Sequence, residues 1–219
     1  MASKRRTPQR ILEATLALFN RFGEPNVSTA AIAADLGMSP GNLYYHYPAK
    51  DELIHALFHQ FDERLRVVLG TASAVRDLEE AWFFLHSLYE VVWDYRFVYR
   101  DINDLLSNNR RIEQALQQLI EHKVHALAQM LAGLRTGSGL RMDEAAHGNT
   151  AETMAVLLTY WLSFEYARNP RHALEPTQAQ SALLRGAQHL MALLAPHWPP
   201  EQQAAWAALQ ATYALPEPA

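Results

Sequence analysis

The sequence contains no cysteine, only nine glycines among 219 residues, and no long uninterrupted apolar run. Without cysteine the chain can form neither a disulfide nor a thiolate site, so a zinc site would need histidine and carboxylate ligands alone. The longest apolar stretch, near residues 154–164, is too short to span a bilayer. The first ten residues carry charge, but the apolar region of a secretory signal does not follow them. We therefore expect a cytoplasmic protein.

The composition predicts a folded, all-α protein whose charge is unevenly distributed. Hydrophobic residues make up 49% of the chain, which is ample for a core, and strand-like alternation is rare. The net charge is −4, but the first 50 residues hold six Lys or Arg against three Asp or Glu, and the remainder hold thirteen against twenty. Positive charge at one end only favours nucleic-acid binding by the N-terminal part.

Four basic residues near the N-terminus could contact DNA as a flexible arm that reaches phosphates or a minor groove. They are Lys4, Arg5, Arg6 and Arg10. The alternative for each of them is a solvated, disordered terminus.

Residues 27–50 have the pattern of a helix-turn-helix. Ser28 is placed to cap a first short helix, and Gly37 suits the left-handed position that ends it. Ser39 can cap a second helix whose first position is Pro40, where the missing N–H is no loss. Small and hydrogen-bonding residues then follow on this second helix, which could enter a groove of DNA.

The tract GNLYYHYPAKDEL, following IAADLG, resembles the DNA-binding domain of the TetR (tetracycline-repressor) family over about residues 7–57. The resemblance implies phosphate contacts from Thr29, Ser39, Tyr44, Tyr47 and Lys50, and groove-facing positions at Gly41, Asn42, Tyr45 and His46. It also implies a homodimer on a palindromic double-stranded operator, and a second domain that binds a small effector. Ala49 departs from the family, where a capping Ser, Asn or Asp is common at this position.

Helical periodicity predicts the remaining elements and a three-part domain organisation. We expect helices near residues 8–22, 50–69, 77–94, 97–107, 110–134, 146–167, 176–194 and 201–213, with a disordered C-terminal PEPA tail. The expected domains are an N-terminal helix-turn-helix domain at residues 1–50, a connecting helix and linker at 51–75, and a helical ligand-binding and dimerisation domain at 76–219.

The expected second domain is dense in aromatic residues. Several share a face of the helix near residues 77–94, and others follow on later helices. An apolar effector pocket could use Trp82, His86, Tyr89, Trp93, Tyr99, Asn103, Tyr160, Trp161 and Phe164. The alternative for each aromatic residue is ordinary packing in a core or a dimer interface, which is the commoner use of such stripes.

The last two long helices have apolar rows that exceed what one thin domain needs to bury. We expect them to form a four-helix bundle with the same helices of a second copy. The residues predicted to lie in that interface are Met154, Leu157, Leu158, Leu183, Leu184, Leu190 and Met191.

The chemistry of an enzyme is not indicated. The sequence contains no P-loop, HExxH or nucleophile-elbow motif, so no catalytic residue, cofactor or metal is predicted. His55 and His59 have metal-ligand spacing on one helix, but surface polar residues explain them more simply. The leading hypothesis is a ligand-responsive transcriptional repressor released by a hydrophobic or aromatic effector. The alternatives are a DNA-binding regulator whose second domain binds a protein partner, and a helical enzyme.

Overall fold

The computed structural model describes the backbone of residues 2–213, and the side chains from Thr7 onward. The described residues form eleven α-helices and no strand, which confirms the all-α prediction. The helices are α1 (Ala2–Phe22), α2 (Thr29–Asp35), α3 (Pro40–His46), α4 (Lys50–Leu69), α5 (Leu78–Asp94), α6 (Phe97–Arg100), α7 (Ile102–Asn108), α8 (Arg110–Gly137), α9 (Glu144–Arg168), α10 (Ala179–Ala192) and α11 (Pro200–Thr212). No helix in this described part of the chain is long and apolar enough to cross a membrane.

The observed helices differ from the predicted ones at a few places. α1 begins at Ala2 and contains Pro8, so the backbone of the predicted flexible arm is helical. The sequence predicts a start at Pro8 because proline favours the first turn, but the helix continues on the N-terminal side of this residue. The side chains of residues 4–6 and the PEPA tail lie outside the described residues. The predicted 97–107 helix is divided at Asp101 into α6 and α7.

The chain divides into two compact units. The first combines the part up to Glu63 with Tyr95–Leu116, and the second combines Arg64–Asp94 with the part from Gln117 onward. The boundaries of these packing units differ from the expected domain boundaries at residues 50 and 75. The expected division into functional domains remains a prediction. The difference arises because α6 and α7 pack with the helices of the N-terminal part.

Aromatic rings and polar bonds hold α6 in the first unit. The rings of Phe19 and Phe97 lie 5.3 Å apart between centroids. Asn20 Oδ1 accepts a hydrogen bond of 3.1 Å from the Phe97 N–H, and Arg100 Nη2 donates one of 2.5 Å to the Phe19 carbonyl. The side chain of Asp101 accepts a 2.8 Å bond from the Glu24 N–H. The C-terminal end of α1 and the loop after it are thereby attached to α6 at several points.

The second unit is built around close packing of α5 with α10 and of α10 with α9. A Cβ added at Gly186 on α10 would lie 2.7 Å from Cζ of Tyr89 and 3.0 Å from Cδ1 of Trp161, so the glycine allows close approach of both rings. Trp161 Nε1 donates to the Ala182 carbonyl at 2.9 Å. Tyr89 of α5 and Trp161 of α9 therefore both pack closely against α10.

Candidate nucleic-acid interface and effector unit

Local hydrogen bonds cap the N-terminal ends of both helices of the helix-turn-helix. The Ser28 side chain accepts a bond of 3.1 Å from the Ala31 N–H, and that of Ser39 accepts one of 3.3 Å from the Asn42 N–H. Gly37 ends α2 with φ +64°, a conformation that favours glycine. Pro40 is the first residue of α3. These observations confirm the predicted caps and turn.

α3 leaves almost all of its side chains outside the core. Only Leu43 is buried, and it clamps the helix against the rest of the unit. Ser39, Gly41 and Asn42 are exposed, His46 is half-buried, and Tyr44 and Tyr45 are 45% and 74% exposed. A short helix that presents hydrogen-bonding side chains and two tyrosine rings to solvent has the surface needed to enter a DNA groove.

Of the residues predicted to contact phosphates, the structure places Thr29 and Tyr44 in direct contact, while Tyr47 and Lys50 bond to other parts of the first unit. Thr29 Oγ1 and the Tyr44 hydroxyl share a hydrogen bond of 2.8 Å across the two helices of the motif. The Tyr47 hydroxyl donates a 3.5 Å bond to the Pro8 carbonyl, and burial raises its pKa above the usual value, so it stays a protonated donor. Lys50, the first residue of α4, bonds to both the side chain and the carbonyl of Glu24.

The nine residues predicted to line an effector pocket are not brought together in one unit. Tyr99 and Asn103 belong to the first unit, where the Tyr99 ring packs at 5.7 Å from Phe61 and Asn103 is exposed. The other seven belong to the second unit, where Trp82, Tyr89, Trp93 and Trp161 are buried, His86 is half-buried, and Tyr160 and Phe164 are exposed. The Tyr89 hydroxyl is buried with no hydrogen-bond partner among the described residues.

The predicted dimer interface needs a correction. Met154, Leu158, Leu190 and Met191 are fully buried within the single chain, so they have no surface to offer to a second copy. Leu183 is also buried, whereas Leu157 and Leu184 are half-buried. The exposed apolar row of α9 is instead Val156, Tyr160 and Phe164, at 52%, 47% and 51% exposure. Their spacing of four residues places them on one face of the helix.

The histidines with metal-ligand spacing have other partners. His55 Nε2 shares a 3.0 Å bond with Asn109 Oδ1, and His59 Nδ1 lies 3.2 Å from a Glu63 carboxylate oxygen. No group of three or more potential ligands occurs among the described residues.

The fold and the exposed, capped second helix define a helix-turn-helix DNA-binding protein. Residues 11–57 match the model of the bacterial regulatory proteins of the TetR family, and residues 60–206 match the TetR model described as a bacterial transcriptional repressor. The chain belongs to the TetR family and is a DNA-binding transcriptional regulator. Its family and structural neighbours are transcriptional regulators and not enzymes.

Three similar proteins illustrate this relationship. A TetR-family transcriptional regulator from Marinobacter aquaeolei VT8 shares 27% identity with a TM-score of 0.83, covering 94% of this chain and 98% of that chain. The HTH-type transcriptional regulator UidR of Escherichia coli K12 is 40% identical over 58 residues, which are 26% of this chain and 30% of UidR. The nucleoid occlusion factor SlmA of Shewanella pealeana is 26% identical over 147 residues, which are 64% of this chain and 75% of SlmA.

Proposed function

We propose that this protein is a homodimeric repressor that binds a palindromic operator and is released by a small hydrophobic or aromatic effector. The observation that carries the proposal is the exposed face of α3, which is capped at Ser39 and has Leu43 as its only buried residue. Asn42 and Tyr45 on this face are available for base edges, while Thr29 and Tyr44 beside them are available for phosphates.

A homodimer suits both the DNA and the surface of α9. Two recognition helices must enter successive major grooves about 34 Å apart, which a single copy cannot do. The exposed row of Val156, Tyr160 and Phe164 is unusual for a solvated surface, and a two-fold axis would bury the same row from both copies. We therefore assign the dimer contact to this row and to half-buried Leu157 and Leu184, in place of the buried residues first predicted.

α4 provides the connection for control by an effector. It starts four residues after α3 ends and runs from Lys50 to Leu69, so that it passes from the first unit into the second. The lysine that begins α4 bonds to Glu24, whose N–H bonds to Asp101 beside α6. An effector that tilts α4 would change the position of α3 and of this network together.

Such an effector acts only through its different affinity for the two states. To shift the dimer from 99:1 in favour of the DNA-competent state to 1:99, it must prefer the other state by about 5.5 kcal/mol. By linkage, operator DNA must weaken effector binding by the same factor by which the effector weakens operator binding.

Selection of bound duplexes from a random DNA pool tests the first part of the proposal. We expect a two-fold symmetric consensus whose half-sites are centred about 10 base pairs apart or at a multiple of that distance. The Asn42→Ala variant should select a consensus changed at particular bases. A pool that shows no enrichment, or enrichment of a single unpaired half-site, would refute the palindromic operator.

Calorimetry tests the second part. A compound that raises the melting temperature of the free protein should be titrated with and without the selected operator. The expected result is weaker compound binding when operator is present. Equal affinity in both titrations would exclude release by that compound.

A further inference from the structure

A cavity of about 320 Å³ lies between α5, α10 and α11 in the second unit. Its size is at the lower end of the range of small-molecule sites, about 300–1,000 Å³. The cavity is lined by Trp82, Gln188, His189, Met191, Ala192, Trp206, Leu209, Gln210 and Tyr213. Of the residues that the sequence assigned to an effector pocket, only Trp82 is among them.

α11 forms one wall of the cavity without sealing it. None of its thirteen residues is fully buried, although it carries Trp206 and Leu209 on the side that faces the cavity. Its C-terminal end is held by the Tyr213 ring, which stacks on Trp82 at 4.3 Å with an interplanar angle of 26°. A 2.6 Å hydrogen bond from Gln188 Nε2 to the Tyr213 carbonyl adds a second attachment. α11 is thus tied near Tyr213, while Trp206 remains only half-buried over the gap.

The lining is aromatic and uncharged. Three aromatic rings offer stacking faces, and the side-chain amides of Gln188 and Gln210 can each donate and accept hydrogen bonds. No Asp, Glu, Lys or Arg lines the cavity, so an ionic ligand would lose its hydration without gaining a charged partner. His189 is exposed, and its ring lies 4.8 Å from that of Trp161.

We propose that this cavity binds a flat, uncharged aromatic compound with a hydrogen-bonding group at its edge. The ring of the compound stacks against Trp206, beside the stacked pair of Trp82 and Tyr213, and its edge bonds to the amide of Gln188 or Gln210. Closing α11 over the compound buries Trp206 and completes the wall. In the second step, which rests on the proposed repressor function, this compound is the effector that lowers operator affinity.

The test of the site uses the full chain and N-phenyl-1-naphthylamine, a neutral aromatic amine whose fluorescence rises in apolar surroundings. Wild-type protein should bind it saturably, and Trp206→Ala should weaken binding about tenfold because a stacking face is lost. Ala192→Trp, at an exposed position of the cavity wall, should exclude the probe by filling the space. Phe83→Ala is the control, since Phe83 is an exposed aromatic residue of α5 outside the lining.

Competition separates the possible ligand classes. Neutral indole should displace the probe at lower concentration than tetramethylammonium or benzoate. The proposal is overturned if wild-type protein shows no saturable binding, or if Trp206→Ala or Ala192→Trp binds the probe as the wild type does. It is also overturned if Phe83→Ala loses as much affinity as those two variants, or if either ion displaces the probe better than indole does. Melting curves of each variant ensure that a loss of binding is read only from folded protein.

The probe then separates the site from its regulatory role. A gel-shift titration of the selected operator with and without the probe should show weaker DNA binding in its presence. The probe could bind saturably and in a Trp206-dependent manner while operator binding stays unchanged. That result would support the binding site but refute its role as the effector site. Failure to select any operator would refute the repressor function while leaving the probe measurement valid.

Discussion

The ammonium group of Lys50 lies 2.7 Å from Oε1 of Glu24 and 2.6 Å from the carbonyl oxygen of the same residue. The pair is partly buried, with 27% of the lysine side chain and 12% of the glutamate side chain exposed. Lys50 is one of the five residues that the family resemblance assigns to DNA phosphates. If Lys50 contacts a phosphate, that phosphate competes with Glu24 for the lysine or binds to the pair as a whole, and we expect Glu24 to oppose DNA binding in either case.

Removing the charge of Glu24 should strengthen DNA binding. We expect Glu24→Gln to raise affinity several-fold at low salt for all sequences, whereas Lys50→Ala should lower it for all sequences and reduce the salt slope by about 1. Gel-shift titrations at several salt concentrations measure both effects. Glu13→Gln, at an exposed position of α1, controls for the general loss of a negative charge. Weaker binding by Glu24→Gln than by Glu13→Gln would show that Glu24 supports the DNA-bound arrangement.

The hydrogen bond between Thr29 and Tyr44 leads to a second prediction. Tyr44→Phe keeps the ring and removes the hydroxyl that joins α3 to α2, so it should weaken binding to every duplex by a similar factor. The side chain is 45% exposed, and the melting temperature should change little. Asn42→Ala should instead change base preference with a smaller loss on unrelated DNA. Identical affinity of Tyr44→Phe and wild-type protein for the selected operator would contradict the assigned phosphate contact.

A third prediction concerns the dimer contact that we assign to the exposed apolar row of α9. Tyr160→Asp places a charge at the centre of the exposed row of Val156, Tyr160 and Phe164, where burial against a second copy would leave the charge unpaired. We expect it to shift the protein from dimer to monomer at micromolar concentration in sedimentation velocity. Phe83→Asp alters an equally exposed aromatic residue on α5 and should leave the dimer intact. A wild-type monomer under the same conditions would refute the assigned interface.

Lys123 on α8 gives the protein a pH-dependent stability. Its side chain is fully buried and donates a 3.1 Å bond to Thr159 Oγ1, and burial lowers its pKa from 10.5 to about 7. The unfolded chain therefore binds more protons than the folded chain between pH 7 and 10.5, so the free energy of unfolding rises with pH across this window. Below about pH 7 the cost of burying the charge is fully present.

Replacement of this lysine by an apolar residue of similar length should remove the dependence. We expect Lys123→Met to unfold at higher urea concentration than the wild type at pH 6.5, with a gain on the order of a few kcal/mol, and the advantage should shrink as pH rises toward about 10. Urea titrations of both proteins at several pH values measure the difference. A difference that is constant with pH would show that the lysine titrates alike in the folded and unfolded chains.

Two helical glycines should respond oppositely to the same substitution. Gly186→Ala would force a Cβ against Tyr89 and Trp161, and we expect a loss of about 1–3 kcal/mol in the free energy of unfolding. Gly148 lies inside α9 with nothing within 4 Å of an added Cβ, so Gly148→Ala should stabilise by about 0.5–1 kcal/mol through helix propensity. Stabilisation by both substitutions would mean that α10 can move away from α5 and α9 at little cost.

The helix-turn-helix could be predicted from the sequence because its signals are local. The bonds of Ser28 and Ser39 join residues three positions apart, and the conformation of Gly37 and the position of Pro40 depend on their own backbone. Such interactions need no knowledge of the rest of the chain. The all-α class, the helix-turn-helix and its exposed polar face therefore follow from residues 27–50 and from helical periodicity elsewhere.

The partners of each apolar face could be decided only by the tertiary structure. The apolar residues of α9 are not confined to one face, so periodicity cannot tell that Met154 and Leu158 are buried within the chain while Val156 and Tyr160 are exposed. Asp101 and Glu24 meet across 77 residues of sequence, which places α6 with the DNA-binding helices. The cavity beside Trp206 likewise depends on how α11 lies against α5 and α10. These long-range arrangements follow from the packing of the whole chain, which no local pattern encodes.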